Sequence, residues 1–171
     1  MKNHNILQCN IIIFVSTVLL LLIICFSSSS ITYSIENEDE SDLIQRANDY
    51  LSEGEIEHAL QIYDGILNVN QTNISALNYK GLAFASIGNF EEAITMYDKV
   101  LTIDPNNPLA LNNKGVALFN LGNFEEAITM YDKVLIINPN DIDAKYNKSI
   151  ALLSLNKSQE ANVLYQESLI K

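Results

Sequence analysis

Cysteine and histidine are scarce in this chain, which limits the chemistry that it can perform. The two cysteines, Cys9 and Cys25, both lie near the N-terminus, and the two histidines are His4 and His58. Beyond Cys25 there is therefore no thiol for a disulfide, for catalysis or for a metal site. The chain also lacks a glycine-rich phosphate loop, a metal-spaced histidine set and a Ser/His/acid arrangement. We therefore expect no enzyme activity, no bound metal and no cofactor.

Positive charge is scarce as well. The 171 residues contain 10 Lys and Arg against 21 Asp and Glu, so the formal net charge is −11. A surface with this excess of negative charge repels phosphate backbones. We therefore expect no nucleic-acid partner.

One long apolar run lies near the N-terminus. Residues 11–26 (IIIFVSTVLLLLIICF) contain no charged residue; they follow a short head that carries Lys2 and precede the serines 27–30 and an acidic stretch. This order is typical of an export signal, and the positive head predicts that the residues after the run lie outside the cytoplasm. The run is slightly longer than a usual signal core and shorter than the roughly 20 residues that span a bilayer.

Three interpretations of this segment remain open. Residues 1–35 are a cleaved signal peptide, an uncleaved N-terminal membrane anchor, or a helix buried in a soluble domain. Under the first two interpretations the remaining chain is extracytoplasmic, either secreted or anchored. An uncleaved segment would contact the membrane only through residues 6–31, and residues 36–39 would follow it as an acidic linker.

A fourteen-residue sequence, GNFEEAITMYDKVL, occurs twice without a change. The copies occupy residues 88–101 and 122–135, so they begin 34 residues apart. Extending this frame predicts four units, 40–73, 74–107, 108–141 and 142–171. An alanine and a tyrosine recur at the same two positions of every unit: Ala59, Ala93, Ala127 and Ala161; Tyr63, Tyr97, Tyr131 and Tyr165.

Each unit has the pattern of two helices. In the second unit, helical spacing over residues 76–87 ends at Gly88, and a second apolar stripe begins at Phe90. Asn89 and Glu92 have the spacing of a capping box at the start of that second helix. A hairpin of this length cannot bury its apolar stripe alone, so the units must stack on one another. Identical stacking faces explain the duplicated sequence.

These features resemble the tetratricopeptide repeat over nearly all of residues 40–171. The matching features are the 34-residue period, the small residue of the first helix (Gly81, Gly115), the aromatic before the second helix (Phe90, Phe124), the recurring alanine and tyrosine, and the terminal prolines Pro105 and Pro139. The first unit departs from the pattern at Gly65 and Gln71, and the last at Ser158. The resemblance implies an all-α fold, an α-solenoid of four helix-turn-helix hairpins that form a right-handed superhelix with a concave groove.

The same resemblance implies a non-catalytic module for protein–protein interaction, with a protein or peptide partner held in the groove outside the cytoplasm. The groove positions carry apolar side chains and amides, without a fixed charge. The candidate peptide-binding residues are Asn48, Asn78, Leu82, Asn112, Val116, Phe119, Tyr146 and Ile150.

Two alternatives apply to these groove residues. Some members of the family clamp a terminal carboxylate with cations, but Ile44, Leu109 and Asp143 occupy the positions where those cations would be needed. We therefore expect an extended or helical peptide with apolar anchors instead. Leu82 and its equivalents in the next two units have a second interpretation, as packing residues between adjacent first helices.

A row of basic residues, Arg46, Lys80, Lys114 and Lys148, recurs in phase in the first helices. Their aliphatic stems either cover the helix seam while the charged groups reach water or nearby acids, or the row attracts an acidic partner. A structural role is the alternative function: homo-oligomerisation through the last helix, whose apolar residues have no following unit to cover them (Val163, Leu164 and Leu169).

Four Asn-x-Ser/Thr sequons occur in the chain and would be candidate glycosylation sites in an exported protein. Asn70 and Asn73 lie in the predicted loop between the first two units, and we expect them to be the most accessible. Asn156 is a third candidate. Asn147 lies inside a predicted helix and is the least suitable.

Overall fold

The computed structural model describes residues 39–169. The predicted signal or anchor segment lies outside these residues, as does most of the acidic linker. None of the helices within the described range has the length and apolar character needed to cross a membrane.

Eight helices and no strands make up the described part of the chain, which confirms the predicted all-α solenoid fold. The first helices of successive hairpins begin at residues 40, 74, 108 and 142, a spacing of 34 residues. The helices are α1 (Glu40–Glu53), α2 (Ile56–Val69), α3 (Ile74–Ser86), α4 (Phe90–Ile103), α5 (Pro108–Asn120), α6 (Phe124–Ile137), α7 (Ile142–Ser154) and α8 (Ser158–Leu169).

Helix packing follows the order of the chain. Packing contacts place a boundary at Leu43, and the residues from Ile44 onward form the compact unit that holds the hairpins. From α2 to α8 each helix packs against the next, and α3 also packs against α5 and α5 against α7. The first helices α3, α5 and α7 therefore lie side by side.

The recurring glycine and tyrosine explain how closely the two helices of a hairpin approach. A Cβ atom at Gly81 would lie 2.6 Å from Cε1 of Tyr97, and one at Gly115 would lie 2.5 Å from Cε1 of Tyr131. Both tyrosines are buried, as is the recurring alanine at Ala93 and Ala127. A Cβ atom at either position would overlap the ring, so glycine permits the close helix contact in these two hairpins.

The helix starts follow two different patterns. The first helices are capped by Asn73, Asn107 and Asp141, whose side chains each accept a hydrogen bond from a backbone N–H three residues later, at 2.8–3.0 Å. The predicted capping box at Asn89 and Glu92 is wrong, because the Asn89 side chain makes no capping hydrogen bond. Its backbone (φ −83°, ψ 69°) departs from the extended conformation that allows Asn73 to cap.

The turn inside each hairpin requires a left-handed residue. Gly54, Gly88 and Gly122 have φ of 81–82°, and Asn156 takes the equivalent place in the last hairpin with φ 60°. After α3 and α5, the residue that follows the glycine closes the turn, because its backbone N–H donates a hydrogen bond to a helix carbonyl five residues earlier. This arrangement is the Schellman motif, and it explains why glycine recurs at these turns.

Candidate functional site

A pocket of about 200 Å³ opens between the third and fourth hairpins. Val116 and Phe119 extend into it from α5, and Tyr146 and Ile150 from α7. Val116 is 36% exposed and Tyr146 is 46% exposed, so apolar surface at the mouth of the pocket is open to solvent. The structure thus brings four of the predicted groove residues together around one cavity.

Two further residues line this pocket, and neither was among the predicted groove residues. Tyr131 of α6 forms part of its wall, and Asn147 of α7 adds an amide. Tyr131 was identified only as one of the recurring tyrosines, and Asn147 only as a sequon. Asn147 directly follows the groove residue Tyr146 in the chain, and this adjacency was the signal that could have identified it.

An amide pair adjoins the pocket. The Asn147 Nδ2 donates a hydrogen bond to Oδ1 of Asn112 at 3.2 Å, which joins α5 to α7. Both side chains are half-buried. Asn112 therefore adjoins the pocket, and one lone pair of its acceptor is already engaged by a neighbouring hairpin.

Asn78 differs from its equivalent Asn112. Its side chain is 4% exposed, so the expected exposure in the groove is wrong at this position. The side chain is covered by its neighbours, and its Oδ1 has no hydrogen-bond partner. An orphaned buried acceptor lowers the free energy of unfolding. Asn78 therefore affects stability, and it does not face a partner directly.

The two remaining groove candidates lie away from the pocket. Asn48 is half-buried, and its Oδ1 accepts a hydrogen bond from the Tyr63 hydroxyl at 2.6 Å. That bond ties α1 to α2, which gives Asn48 a structural role. Leu82 is 41% exposed on α3, one hairpin before the pocket.

The recurring lysines form ion pairs between hairpins. Lys80 pairs with Asp64, and Lys114 with Asp98 and Lys148 with Asp132 at 2.5 Å. Each pair joins a second helix to the next first helix, and the lysine side chains are only 15–20% exposed. The arrangement favours the interpretation in which the stems cover the seam and the ammonium groups reach nearby acids.

Three titratable tyrosines lie in the cores of the hairpins. Burial raises the pKa of the Tyr63, Tyr97 and Tyr131 hydroxyls, so they stay protonated at neutral pH. His58 is exposed, and its Nδ1 lies 2.9 Å from Oε2 of Glu55. Within residues 39–169 no cluster of His, Cys, Asp and Glu side chains has the arrangement of a metal site.

The sequons differ in their accessibility. Asn70 and Asn156 are exposed. Asn73 is only 7% exposed, and its Oδ1 caps α3, so the expected accessibility is wrong for this residue. A glycan on Asn73 would require its buried amide to leave the cap. Glycosylation of Asn70 and of Asn156 stays a prediction.

Comparisons with known proteins agree with this architecture. A family model described as TPR repeat matches residues 81–122, and one described as tetratricopeptide repeat matches residues 108–141. No curated protein matches the chain at a significant level.

Solved structures share the fold. MamA from Desulfovibrio magneticus RS-1, residues 41 to the end, is 18% identical with a TM-score of 0.70, over 78% of this chain and 76% of that one. A MamA RS-1 double mutant is 24% identical with a TM-score of 0.69, over 77% and 75%. The first TPR of Spaghetti (RPAP3), bound to the HSP90 peptide SRMEEVD, is 22% identical with a TM-score of 0.64, over 67% and 90%. This chain therefore contains tetratricopeptide repeats within residues 81–141, on an all-α hairpin fold that these proteins share.

Proposed function

We propose that this chain is a non-catalytic protein-interaction module that binds a peptide segment of a partner protein on the surface of its first helices. The observation that carries this proposal is the open apolar pocket between α5 and α7. The peptide-bound structure of the Spaghetti (RPAP3) domain supports it, because that domain has the same fold.

The pocket defines the chemistry of the segment. Its lining is aliphatic and aromatic with one amide and no charged side chain, so it suits an apolar anchor residue of the partner. The Asn112–Asn147 amides beside it retain donors and acceptors for the peptide backbone. Because the lining supplies no cation for a terminal carboxylate, an internal segment of the partner fits this surface best.

The proposal extends to the whole repeat region and its location. All four hairpins, predicted as units 40–73, 74–107, 108–141 and 142–171, would be tetratricopeptide repeats. Support comes from the even spacing of the helix starts. The module would act outside the cytoplasm, directed there by residues 1–35. Support for the location comes from the order of charge and hydropathy in that segment.

A peptide selection on the full chain tests the binding function. Peptides that bind the wild-type chain would be selected from a displayed random library. Their affinities would then be measured for the wild-type chain and for its Val116→Glu and Ile136→Glu variants. Val116 lies in the pocket, whereas Ile136 is an 80% exposed aliphatic residue on α6 that does not line it. A charge in the pocket should weaken binding about tenfold or more, since a buried unpaired carboxylate costs several kcal/mol.

Binding that survives Val116→Glu as well as it survives Ile136→Glu would move the site away from the pocket. A selection that yields no binding peptide would contradict the function itself. Circular dichroism of both variants verifies that the helices remain folded.

Self-association is a second candidate function, and α8 favours it. Val163 and Leu169 are each 60% exposed on that helix, and Tyr165 is 40% exposed. An apolar surface of this kind is commonly covered by another protein chain.

A further inference from the structure

The lysine–aspartate pairs show how one hairpin meets the next. In each pair the aspartate belongs to a second helix, and the lysine lies sixteen residues later on the following first helix. At the junction of α6 and α7, Tyr131 and Asn147 contribute to one pocket beside the Asp132–Lys148 pair. At this junction the second helix presents a tyrosine and a carboxylate, and the first helix presents an amide and an ammonium group.

Helix α8 presents such a surface without a first helix on it. One repeat after Tyr131 and Asp132 stand Tyr165 and Gln166. Tyr131 is 1% exposed and Tyr165 is 40% exposed. Among the described helices, α8 packs against α7, so its opposite side remains open.

The side chain of Ser149, which takes the place of the glycine beneath the tyrosine ring, does not explain the exposure of Tyr165. Ser149 occupies the place that glycine holds at position 115, so a Cβ atom is present there. Ala47 also supplies a Cβ atom at the equivalent place of the first hairpin, yet Tyr63 is fully buried. The difference is that α3 packs against α2. Tyr165 is thus exposed because no described first helix covers α8.

Helix α1 carries the matching groups. Gln45 is three repeats before Asn147, and Arg46 is three repeats before Lys148. Gln45 is exposed and Arg46 is half-buried. The Gln45 Nε2 donates a hydrogen bond to Oδ1 of Asp49 at 2.9 Å, which leaves its Oε1 as an acceptor. If α1 of a second chain took the position that α7 takes on α6, this acceptor would meet the hydroxyl of Tyr165. The Arg46 guanidinium, with five N–H donors, would meet the carbonyl of Gln166.

We propose that α8 of one copy binds α1 of a second copy, head to tail, so that hairpin stacking continues from chain to chain. The pairing uses two different surfaces, so each added copy leaves one α8 and one α1 open, and association extends beyond a dimer as concentration rises. The match of Gln45 and Arg46 to Tyr165 and Gln166 makes a second copy of this chain the occupant of α8. This proposal rests on self-association, the second candidate function, and is independent of peptide binding.

The test uses the full 171-residue chain in mild detergent, which keeps the apolar run of residues 11–26 in solution. Its mass would be measured by sedimentation velocity over a range of concentrations, at physiological salt to screen the net charge of −11. Gln166→Lys places a cation against Arg46 and should weaken association about tenfold or more, since like charges across an interface cost several kcal/mol. Gln71→Lys, the same change at an exposed residue of the turn between α2 and α3, is the matched control and should leave association unchanged.

Two further variants test the pairing itself. Gln166→Asp restores the carboxylate found at Asp132 and should strengthen association up to about fivefold, the range of an exposed ion pair. Arg46→Glu combined with Gln166→Lys places a carboxylate against the introduced ammonium group. This double variant should recover the association that Gln166→Lys loses. Circular dichroism verifies the fold of each variant.

The outcomes separate the two levels of the proposal. A monomer at every concentration overturns self-association and the head-to-tail mode together. Association that stops at a dimer, or that responds equally to Gln166→Lys and Gln71→Lys, overturns the head-to-tail mode and leaves self-association standing. The pairing of α8 with α1 is also overturned if Arg46→Glu combined with Gln166→Lys does not recover the association that Gln166→Lys loses.

Discussion

Gly115 lies against the ring of Tyr131, so closely that a Cβ atom at position 115 would stand 2.5 Å from Cε1 of the ring. Tyr131 in turn forms a wall of the candidate pocket. The contact that sets the distance between the two helices of the hairpin therefore also positions an aromatic side chain of the site. Repeat packing and the candidate pocket therefore depend on the same residues.

We expect Gly115→Ala to lower the melting temperature. Overpacking typically costs about 1–3 kcal/mol, which outweighs the gain of at most about 1 kcal/mol from replacing glycine by alanine in a helix. A double-mutant cycle with Tyr131→Leu provides the control, because the smaller side chain relieves the clash. In the Tyr131→Leu background, Gly115→Ala should then lower the melting temperature less than in the wild-type chain, or raise it. An increase in melting temperature from Gly115→Ala alone would contradict the close contact.

Gly122 tests backbone conformation separately from packing. Its φ is +82°, and a Cβ atom built there would meet no other atom within 4 Å. Gly122→Ala should therefore destabilise the fold by about 1–2 kcal/mol through left-handed backbone strain alone. Gly122→Asn should cost less, because asparagine tolerates this conformation and Asn156 adopts it in the last hairpin. Thermal melting of the two variants measures the difference, and equal losses would show that strain is not the cause.

The solenoid was predictable because its packing repeats. Contacts run mainly between helices adjacent in the chain, so the periodic alanine and tyrosine mark every hairpin in the same way. The pairing of Gly115 with Tyr131 is one such contact, and it recurs between Gly81 and Tyr97. A non-local fold would leave no comparable periodicity in its sequence.

Local hydrogen bonding and burial were less predictable. The spacing of Asn89 and Glu92 indicates a capping box, but a cap depends on a backbone angle that spacing does not determine. Asn78 and Asn112 occupy equivalent positions, yet only Asn112 receives a hydrogen bond from the residue 35 positions later. Equivalent register therefore does not give equivalent surroundings, because the neighbours on adjacent hairpins differ.

The Lys148–Asp132 pair tests the role of the lysine row. Asp132 is 47% exposed, so removing only the charge by Lys148→Met should cost at most about 1 kcal/mol. Lys148→Ala should cost more, because it also removes the aliphatic stem that covers the helix seam. Lys133→Ala, at an exposed lysine of α6, should change the free energy of unfolding by no more than about 0.5 kcal/mol. Urea unfolding compares the three variants, and equal costs for Met and Ala would assign the effect to charge alone.

Asn78 and Asn112 should respond in opposite directions to the same substitution. Asn78→Leu removes a buried acceptor that has no donor, and an orphaned polar group of this kind costs about 1–3 kcal/mol. We therefore expect a higher melting temperature. Asn112→Leu removes the acceptor of the Asn147 amide and should lower stability by about 0.5–1.5 kcal/mol, the contribution of one hydrogen bond.

The two asparagines are matched controls for each other, since they share a position on successive first helices and differ in their hydrogen bonding. Binding provides a second measurement. Asn112→Leu should weaken a peptide selected on the wild-type chain, because its amide adjoins the pocket, whereas Asn78→Leu should leave that affinity unchanged. A loss of stability in Asn78→Leu would show that its Oδ1 accepts a hydrogen bond in solution, for example from a buried water. A loss of peptide affinity in that variant would instead extend the binding surface along the first helices to α3.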